Sequence, residues 1–215
     1  MAWVVPGGGV GTDITFIVES RTDSGDWGRA ERLVVNPVPV ELAVYKRDVV
    51  REPWYEVRHP ELFAVLCGLE SPRPLMPSVR IADPRGLPSD ASAETLADYA
   101  AWDGDAFSAS WLTAFELITF DWEQVVSWSF HAVPPEELRS HLDETQIAAA
   151  RQHIAKHGRP PEGWHVAGDS RYGFKATAER TCASFALGFM PVIVRMAREN
   201  PADLEGVRCV FWFDR

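Results

Sequence analysis

Residues 207–214 read Val-Arg-Cys-Val-Phe-Trp-Phe-Asp, and this almost continuous apolar run decides the fold class. Its β-branched and aromatic residues predict a strand, and its few polar residues place that strand at the centre of a sheet. Near the other end of the chain, residues 13–20 (Asp-Ile-Thr-Phe-Ile-Val-Glu-Ser) form a second stretch of this kind. A turn cluster at 22–26 separates that stretch from a strand pattern at 27–35, which predicts a hairpin with a long loop.

The middle of the chain is mostly helical in pattern. Proline in the first turn, glycine after the last turn and Ser or Asp before the first turn mark the helix ends. Helices are predicted at 60–68, 92–102, 113–120, 136–142, 144–157 and 185–199, and one further strand is predicted at 123–133. Strands near both ends with helices between them predict an α+β fold. We expect a single, mostly antiparallel sheet built from N- and C-terminal strands, with helices packed on one face.

The chain has 215 residues, and we expect 13–215 to form one domain. A chain near 200 residues buries roughly 70% of its unfolded surface, which provides a sizeable core. Residues 1–12, which end in a glycine-rich segment, are predicted to be a flexible lead-in. A phosphate-binding glycine loop needs a strand before it and a helix after it, and the pattern here predicts neither.

Charge and composition exclude several classes of partner. The formal net charge of −10 argues against a protein that binds a nucleic-acid backbone, because no basic excess is present to neutralise phosphates. No apolar run reaches the roughly 18 to 20 residues of a membrane span, and no secretory signal is visible. The three cysteines are few and widely spaced, which fits reduced thiols. We therefore expect a cytoplasmic protein that binds neither nucleic acid nor membrane, whereas the oligomeric state stays open.

Aromatic residues are abundant, with 9 Trp and 11 Phe. They either form an aromatic-rich core or line a pocket or interface, where such residues carry much of the binding energy. Trp111 and Trp128 are the candidates for an apolar wall of such a pocket.

Three aspartates are the leading candidates for acid–base chemistry. Asp13 begins the first predicted strand and Asp214 ends the last, so antiparallel pairing of these strands brings both residues to one sheet edge. Two close carboxylates raise the pKa of one of them, which gives an acid and a base in one site. Asp105 follows the predicted helix 92–102, and we expect Asp13 and Asp105 to serve as base and acid. The alternative is that these aspartates are ordinary turn and capping residues.

Two short strings hold the remaining candidates. Arg85 lies in 84–88 (Pro-Arg-Gly-Leu-Pro), where fixed backbone geometry would hold a guanidinium ready for a carboxylate or phosphate. Alternatively, it ties this long loop to a surface carboxylate. Ser108 and Ser110 precede Trp111 and are expected to offer hydroxyls to a substrate, although one of them could cap the next helix. We expect Ser108 to belong to the catalytic set, and Arg85, Ser110, Trp111, Trp128 and Asp214 to bind substrate.

These strings resemble those of a group of uncharacterised proteins encoded in bacterial and phage genomes. That group has Cys-Asp-Ile-His near the start, a Pro-Arg-Gly-Leu-Pro loop, a His-Ser-x-Ser-(Trp/Tyr)-Leu-Thr segment and a closing Phe-Asp. Here 12–15 read Thr-Asp-Ile-Thr and Phe107 stands before Ser108, so both histidines of the group are replaced. An Asp and two His would be a plausible metal or acid–base set in the group. Their replacement argues against a first-row transition metal at this place, and we expect neither a metal nor another cofactor in this chain.

Two functions from different classes follow. The first is an enzyme acting on a small molecule by metal-free general acid–base chemistry in an aromatic-walled pocket, with hydrolase, lyase and isomerase all possible. The second is an acidic, non-enzymatic interaction or ligand-binding protein of phage or mobile-element type. The partner is accordingly a small-molecule ligand or another protein. Convergence of the candidate side chains on one pocket favours the enzyme, and their separation favours the binding protein.

Overall fold

The computed structural model describes residues 13–30, 33–35, 49–51, 54–55, 60–68, 79–167, 170–186 and 188–214. In chain order the strands are β1 (Asp13–Arg21), β2 (Trp27–Arg29), β3 (Leu33–Val35), β4 (Val49–Arg51), β5 (Phe107–Thr113), β6 (Val125–Val133), β7 (His165–Ala167), β8 (Phe174–Thr181) and β9 (Val207–Asp214). The α-helices are α1 (Pro60–Cys67), α2 (Ala93–Ala100), α3 (Ala114–Thr119), α4 (Glu144–His157), α5 (Cys182–Phe185) and α6 (Met190–Glu199). Single 3-10 turns lie at Glu136–Leu138 and Leu204–Gly206. The predicted lead-in, 1–12, lies outside the described residues.

Contacts within the chain define two compact units. Unit 1 draws on segments 1–58, 84–115 and 192–215, and unit 2 draws on 59–83 and 116–191. The prediction of one domain over 13–215 stays a prediction. Among the described helices, none is long and apolar enough to cross a bilayer.

Unit 1 is built on a four-stranded antiparallel sheet with the strand order β2-β1-β9-β5. All eight residues of β9 are buried, as expected for a strand with neighbours on both sides. The predicted central strand is therefore confirmed with the bounds 207–214. The hairpin that joins β1 to β2 is present, but its second strand covers only 27–29 of the predicted 27–35, because 33–35 pairs with another strand. A separate two-stranded ribbon pairs β3 with β4.

The register of β1 on β9 sorts the side chains of unit 1 onto two faces. Glu19 lies opposite Arg208, and Ile17 lies opposite Val210, so these pairs share one face because side chains alternate along a strand. On that face, Ile17, Val210 and Trp212 form a buried cluster, against which side chains of α2 and its flanking loops pack. The opposite face carries aromatic pairs such as Phe16 and Phe211, whose ring centroids lie 6.3 Å apart.

Helix α2 begins where the sequence predicts. Ser92 is its N-cap, and the Ser92 hydroxyl accepts a hydrogen bond from the Thr95 amide at 3.2 Å. The predicted helix 113–120 is also present as α3. Between these helices lies β5, which the sequence analysis does not predict, because a β-bulge between Phe107 and Ser110 breaks the alternation that marks a strand in sequence.

Unit 2 contains a three-stranded antiparallel sheet with the order β7-β6-β8. The α+β class is confirmed, but the expectation of a single sheet is wrong. The physical reason is that β6 forms backbone hydrogen bonds with β7 on one side and β8 on the other, so both of its edges are occupied locally. The two added strands escape sequence analysis because β7 has only three residues and β8 alternates polar or charged residues with alanine.

Helix α4 has the predicted bounds. A capping box starts it, since the Asp143 carboxylate accepts from the Gln146 amide and the Gln146 side chain accepts from the Asp143 amide. Gly158 ends it in the left-handed conformation with φ of 65°. The predicted helix 185–199 begins later, as α6 over 190–199, and Phe185 instead ends the four-residue helix α5. Pro191 lies in the first turn of α6 rather than at a kink, which suits a residue without an amide hydrogen.

Candidate functional site

Three arginines and two tryptophans alternate across unit 1, and we call this set the Arg–Trp ladder. Its order is Arg21, Trp27, Arg208, Trp111, Arg85. The Cζ atoms of Arg21 and Arg208 lie 4.2 Å and 3.8 Å from the Trp27 ring centroid. The Cζ atoms of Arg208 and Arg85 lie 5.8 Å and 4.7 Å from that of Trp111. Each distance is within the range of a cation–π contact, which contributes about 0.5–1 kcal/mol when exposed and about 2 kcal/mol when desolvated.

The sheet places the members of this ladder. Arg21 and Trp27 are paired residues of β1 and β2, while Arg208 lies on β9. Trp111 lies on β5, opposite Val210. Because these strands are adjacent, side chains from distant parts of the sequence are brought into one row across the sheet. Arg85 extends the row from the loop before α2.

Arg208 is the centre of the ladder, and its side chain is only 2% exposed. Its Nε donates to Oε2 of Glu19 at 2.9 Å, and its Nη2 lies 2.8 Å from the same oxygen. Its Nη1 donates to Oδ1 of Asp90 at 2.7 Å, and its Nη2 also donates to the Asp90 carbonyl at 3.2 Å. A buried guanidinium needs such partners, because an unpaired buried charge is strongly destabilising.

Glu19 links this arginine to α2. Its Oε1 accepts from the Ser92 amide at 2.9 Å and from the Thr95 hydroxyl at 2.7 Å, at the N-terminus of the helix. Burial by itself raises the pKa of Glu19, but the hydrogen bonds from Thr95, Ser92 and Arg208 outweigh it and leave the pKa below its usual value. Glu19 is therefore a buried carboxylate whose bonding fixes α2 on the sheet.

Asp90 closes the network on the solvent side. Its Oδ2 accepts from Trp27 Nε1 at 2.8 Å and lies 3.6 Å from Arg21 Nη2. The hydrogen bond from Arg208 is the main reason that the pKa of Asp90 lies below its usual value, and the bond from Trp27 adds to the effect. With Glu19, this residue balances the charge of Arg208 and Arg21.

Arg85 forms the outer end of the ladder, and its side chain is exposed. Its backbone amide donates to Ser110 Oγ at 3.2 Å, and its Nη1 donates to the Trp111 carbonyl at 3.3 Å. Gly86, with φ of 72°, allows the turn that follows. A guanidinium held over an indole ring at the surface suits the recognition of a carboxylate or phosphate, because its planar fork matches both.

The structure thus brings together three of the predicted substrate-binding residues: Arg85, Ser110 and Trp111. Ser110 is buried, and Trp111 is half-buried. Trp128 belongs to unit 2, where it packs against Phe130 with ring centroids 4.5 Å apart. The Trp128 Nε1 is buried and has no hydrogen-bond partner among the described residues.

The predicted catalytic residues also belong to unit 1. Asp13 and Asp214 are opposite each other in the register of β1 and β9, and Asp214 is buried. Asp105 is exposed, and its amide donates to the Trp102 carbonyl at 2.9 Å. Ser108 is exposed within the bulge of β5, with φ of 50°. Whether these residues perform acid–base chemistry stays a prediction.

Sequence reasoning missed five site residues: Glu19, Arg21, Trp27, Asp90 and Arg208. One signal was available, namely a single arginine at 208 within the buried run 207–214. A charge in a central strand requires a buried partner, and Glu19 is the glutamate within the first strand. The arginines and tryptophans of the ladder come from four separate segments of the sequence, so no short motif indicates that they stack on one another.

The fold and this site define an α+β protein whose antiparallel sheet carries an Arg–Trp ladder closed by two carboxylates. Comparison with protein families, curated proteins and solved structures finds no match to this chain. The resemblance drawn from the sequence strings therefore stays a prediction. In the described part of the chain, no group of three or more His, Cys, Asp or Glu side chains is arranged to hold a metal ion.

Proposed function

We propose that the chain is a non-enzymatic binding protein that recognises an anionic group, foremost a carboxylate, at the Arg85 end of the ladder. The observation that carries this proposal is the exposed Arg85 guanidinium, which is held 4.7 Å from the Trp111 ring centroid by a bond to the Trp111 carbonyl. A side chain that is already ordered loses little conformational freedom when a ligand binds, and this favours affinity.

The surrounding charge supports a role in recognition. The whole chain carries a net charge of −10, so the protein as a whole repels anions. Glu19 and Asp90 bond to Arg208, at the centre of the ladder, whereas Arg85 lies beyond Trp111 at its outer end. The guanidinium of Arg85 attracts an anion to that end by its charge and its planar fork, and the half-buried indole of Trp111 offers an apolar edge to the rest of the ligand.

Calorimetric titration of the full chain with benzoate, an aromatic carboxylate, tests the proposal. We expect saturable binding that Arg85→Gln weakens about tenfold or more, since the lost bond is charge-assisted. Arg85→Lys keeps the charge but loses the planar fork, so it should recover only part of the affinity. Arg171→Gln is the matched control, because Arg171 is also exposed and lies 4.6 Å from the Tyr172 ring centroid in unit 2. Equal benzoate binding by the wild type and Arg85→Gln would refute the proposal.

A general acid–base enzyme is the second candidate, and the backbone of Ser108 favours it. A non-glycine residue with φ of 50° stores strain, and strained residues and β-bulges concentrate at functional sites. Asp105 lies three residues earlier and is exposed. The test is hydrolysis of p-nitrophenyl acetate by the wild type, Ser108→Ala and Asp105→Asn, with Ser127→Ala as the control for an exposed serine on a strand. Turnover that survives in both site variants would exclude this candidate.

A further inference from the structure

Unit 2 contains a surface cavity of about 450 Å³ at the C-terminal end of α4. It is lined by residues of α4, β8 and α5 and by the loop after α4, among them Lys156, His157, Arg159, Glu179, Arg180 and Ser184. This volume falls within the range of about 300–1,000 Å³ that is typical of small-molecule sites.

The lining of this cavity is strongly basic. Lys156, Arg159 and Arg180 provide three positive charges, and Glu179 is the only carboxylate among the described residues that line the cavity. The negative end of the α4 dipole corresponds to about half a charge and cannot offset such an excess. In the described part of the chain, the side chains of Lys156 and Arg159 form no ion pair. An excess of roughly two positive charges therefore faces this cavity in a protein that is acidic overall.

Arg180 is held in place rather than extended into solvent. Its Nε donates to the Ser184 hydroxyl and its Nη2 to the Ser184 carbonyl, each at 3.0 Å. Its Cζ lies 4.5 Å from the ring centroid of Phe185. Partial burial lowers the pKa of this arginine, while the charge of Glu61 opposes the shift. A half-buried guanidinium whose hydrogen bonds go to an uncharged serine is suited to an external anion.

Gly158 brings the helix end close to β8 and so shapes the cavity. Its φ is 65°, and a Cβ added there would lie 3.3 Å from Arg180 Cγ and 3.4 Å from the Glu179 carbonyl oxygen. The close approach places the loop after α4 beside Arg180. Basic groups from two separate elements therefore face one cavity.

We propose that this cavity binds the phosphate group of a small phosphorylated molecule through Lys156, Arg159 and Arg180. A phosphate monoester carries about −1.5 to −2 charges at pH 7, which matches the excess positive charge, whereas a carboxylate neutralises only half of it. Arginine and lysine are the side chains suited to phosphate oxygens. The cavity also has room for an organic group beyond the phosphate. This site is in a different unit from Arg85 and goes beyond the carboxylate recognition proposed there.

Calorimetric titration of the full chain with phenyl phosphate and with inorganic phosphate tests this inference. We expect phenyl phosphate to bind with a Kd of about 1 mM or tighter. The double variant Lys156→Gln/Arg159→Gln should weaken that binding about tenfold or more, and both replaced side chains are exposed, so the fold should be retained. Arg171→Gln removes an exposed charge of the same unit outside the cavity and should leave the Kd unchanged.

Amide chemical shifts locate the bound probe. We expect phenyl phosphate to shift residues 155–159 and 179–184, and the double variant to keep wild-type affinity for benzoate. No saturable binding, or equal binding by the double variant, would overturn the site. Inorganic phosphate binding as tightly as phenyl phosphate would overturn the assignment to an ester. If the wild type binds phenyl phosphate at this cavity but does not bind benzoate, the Arg85 proposal fails and the phosphate site stands.

Discussion

Arg208 donates through Nε to Glu19 at 2.9 Å, and neither side chain is more than 2% exposed. The two residues are opposite each other on adjacent strands, although they lie near opposite ends of the sequence. Around this ion pair the Arg–Trp ladder and the N-terminus of α2 are assembled. The contacts of this ion pair therefore support both the stability of unit 1 and the ladder that forms the proposed binding surface.

Replacing Arg208 alone should destabilise the protein severely. Arg208→Met leaves Glu19 charged and buried without its partner, and such a loss typically costs about 3–5 kcal/mol in the free energy of unfolding. Urea denaturation followed by circular dichroism measures this change. The double variant Glu19→Gln/Arg208→Met should recover part of the loss, because it removes the unpaired charge. A single variant within about 1 kcal/mol of the wild type would be typical of an exposed pair and would contradict the buried pairing.

Acid should weaken the fold through Glu19 and Asp90. Hydrogen bonds hold the pKa values of both groups below their usual range, so the folded state binds protons less readily than the unfolded state. The resulting stabilisation is fully present above the unfolded values of about 3.9 to 4.3, and it is lost as the pH falls through the folded values. The free energy of unfolding should thus be flat above about pH 5 and decline below it.

Variants separate these two groups from the other carboxylates. The slope below pH 5 should be smaller in Asp90→Asn than in the wild type. Asp23→Asn, which alters an exposed turn carboxylate, serves as the control and should keep the wild-type slope. An unchanged slope in Asp90→Asn would show that its bonds to Arg208 and Trp27 do not contribute.

Trp27 should stabilise the fold by more than the burial of its apolar surface explains. Trp27→Leu removes two cation–π contacts and the hydrogen bond to Asp90, which together predict a loss of about 2 kcal/mol in the free energy of unfolding. Trp164→Leu is a suitable comparison, because Trp164 is also half-buried but packs on Phe174 with ring centroids 5.9 Å apart. An equal loss of unfolding free energy in the two variants would mean that the arginine contacts of Trp27 add no stability beyond that of ordinary packing.

Substitution by alanine should destabilise the protein more at Gly158 than at another glycine with a similar backbone conformation. Gly158 and Gly163 have φ of 65° and 79°, so alanine at either position costs about 1–2 kcal/mol of strain. Only at Gly158 does the added Cβ press on Arg180 and on the Glu179 carbonyl, whereas nothing lies within 4 Å of it at Gly163. Thermal unfolding should therefore show the larger loss for Gly158→Ala. A larger loss for Gly163→Ala would contradict the close approach of α4 and β8.

The sequence predicts those parts of the fold that depend on residues close together in the chain. The bounds of α4 follow from a capping residue at one end and Gly158 at the other, and β9 follows from an almost continuous apolar run. The strand β5 does not follow, because the positive φ of Ser108 and its bulge disrupt alternation. The second sheet is hidden for a related reason, since the exposed residues of β8 are polar or charged and its buried residues are only alanines.

The candidate site is predictable only in part. The loop 84–88 marks Arg85 as a positioned arginine, and the structure places it against Ser110 and Trp111, which the sequence also singles out. The rest of the ladder depends on strand order, which brings β2, β1, β9 and β5 side by side. No spacing along the chain encodes that order.

The most direct test of the central claim follows the arginine Nε–Hε resonances of the full chain during titration with benzoate. The proposal predicts that the Arg85 resonance shifts saturably with the calorimetric Kd, that the Trp111 indole resonance shifts with it, and that Arg171 stays unchanged. A titration in which Arg85 does not move, while other resonances shift or none do, would contradict anion recognition at this end of the ladder.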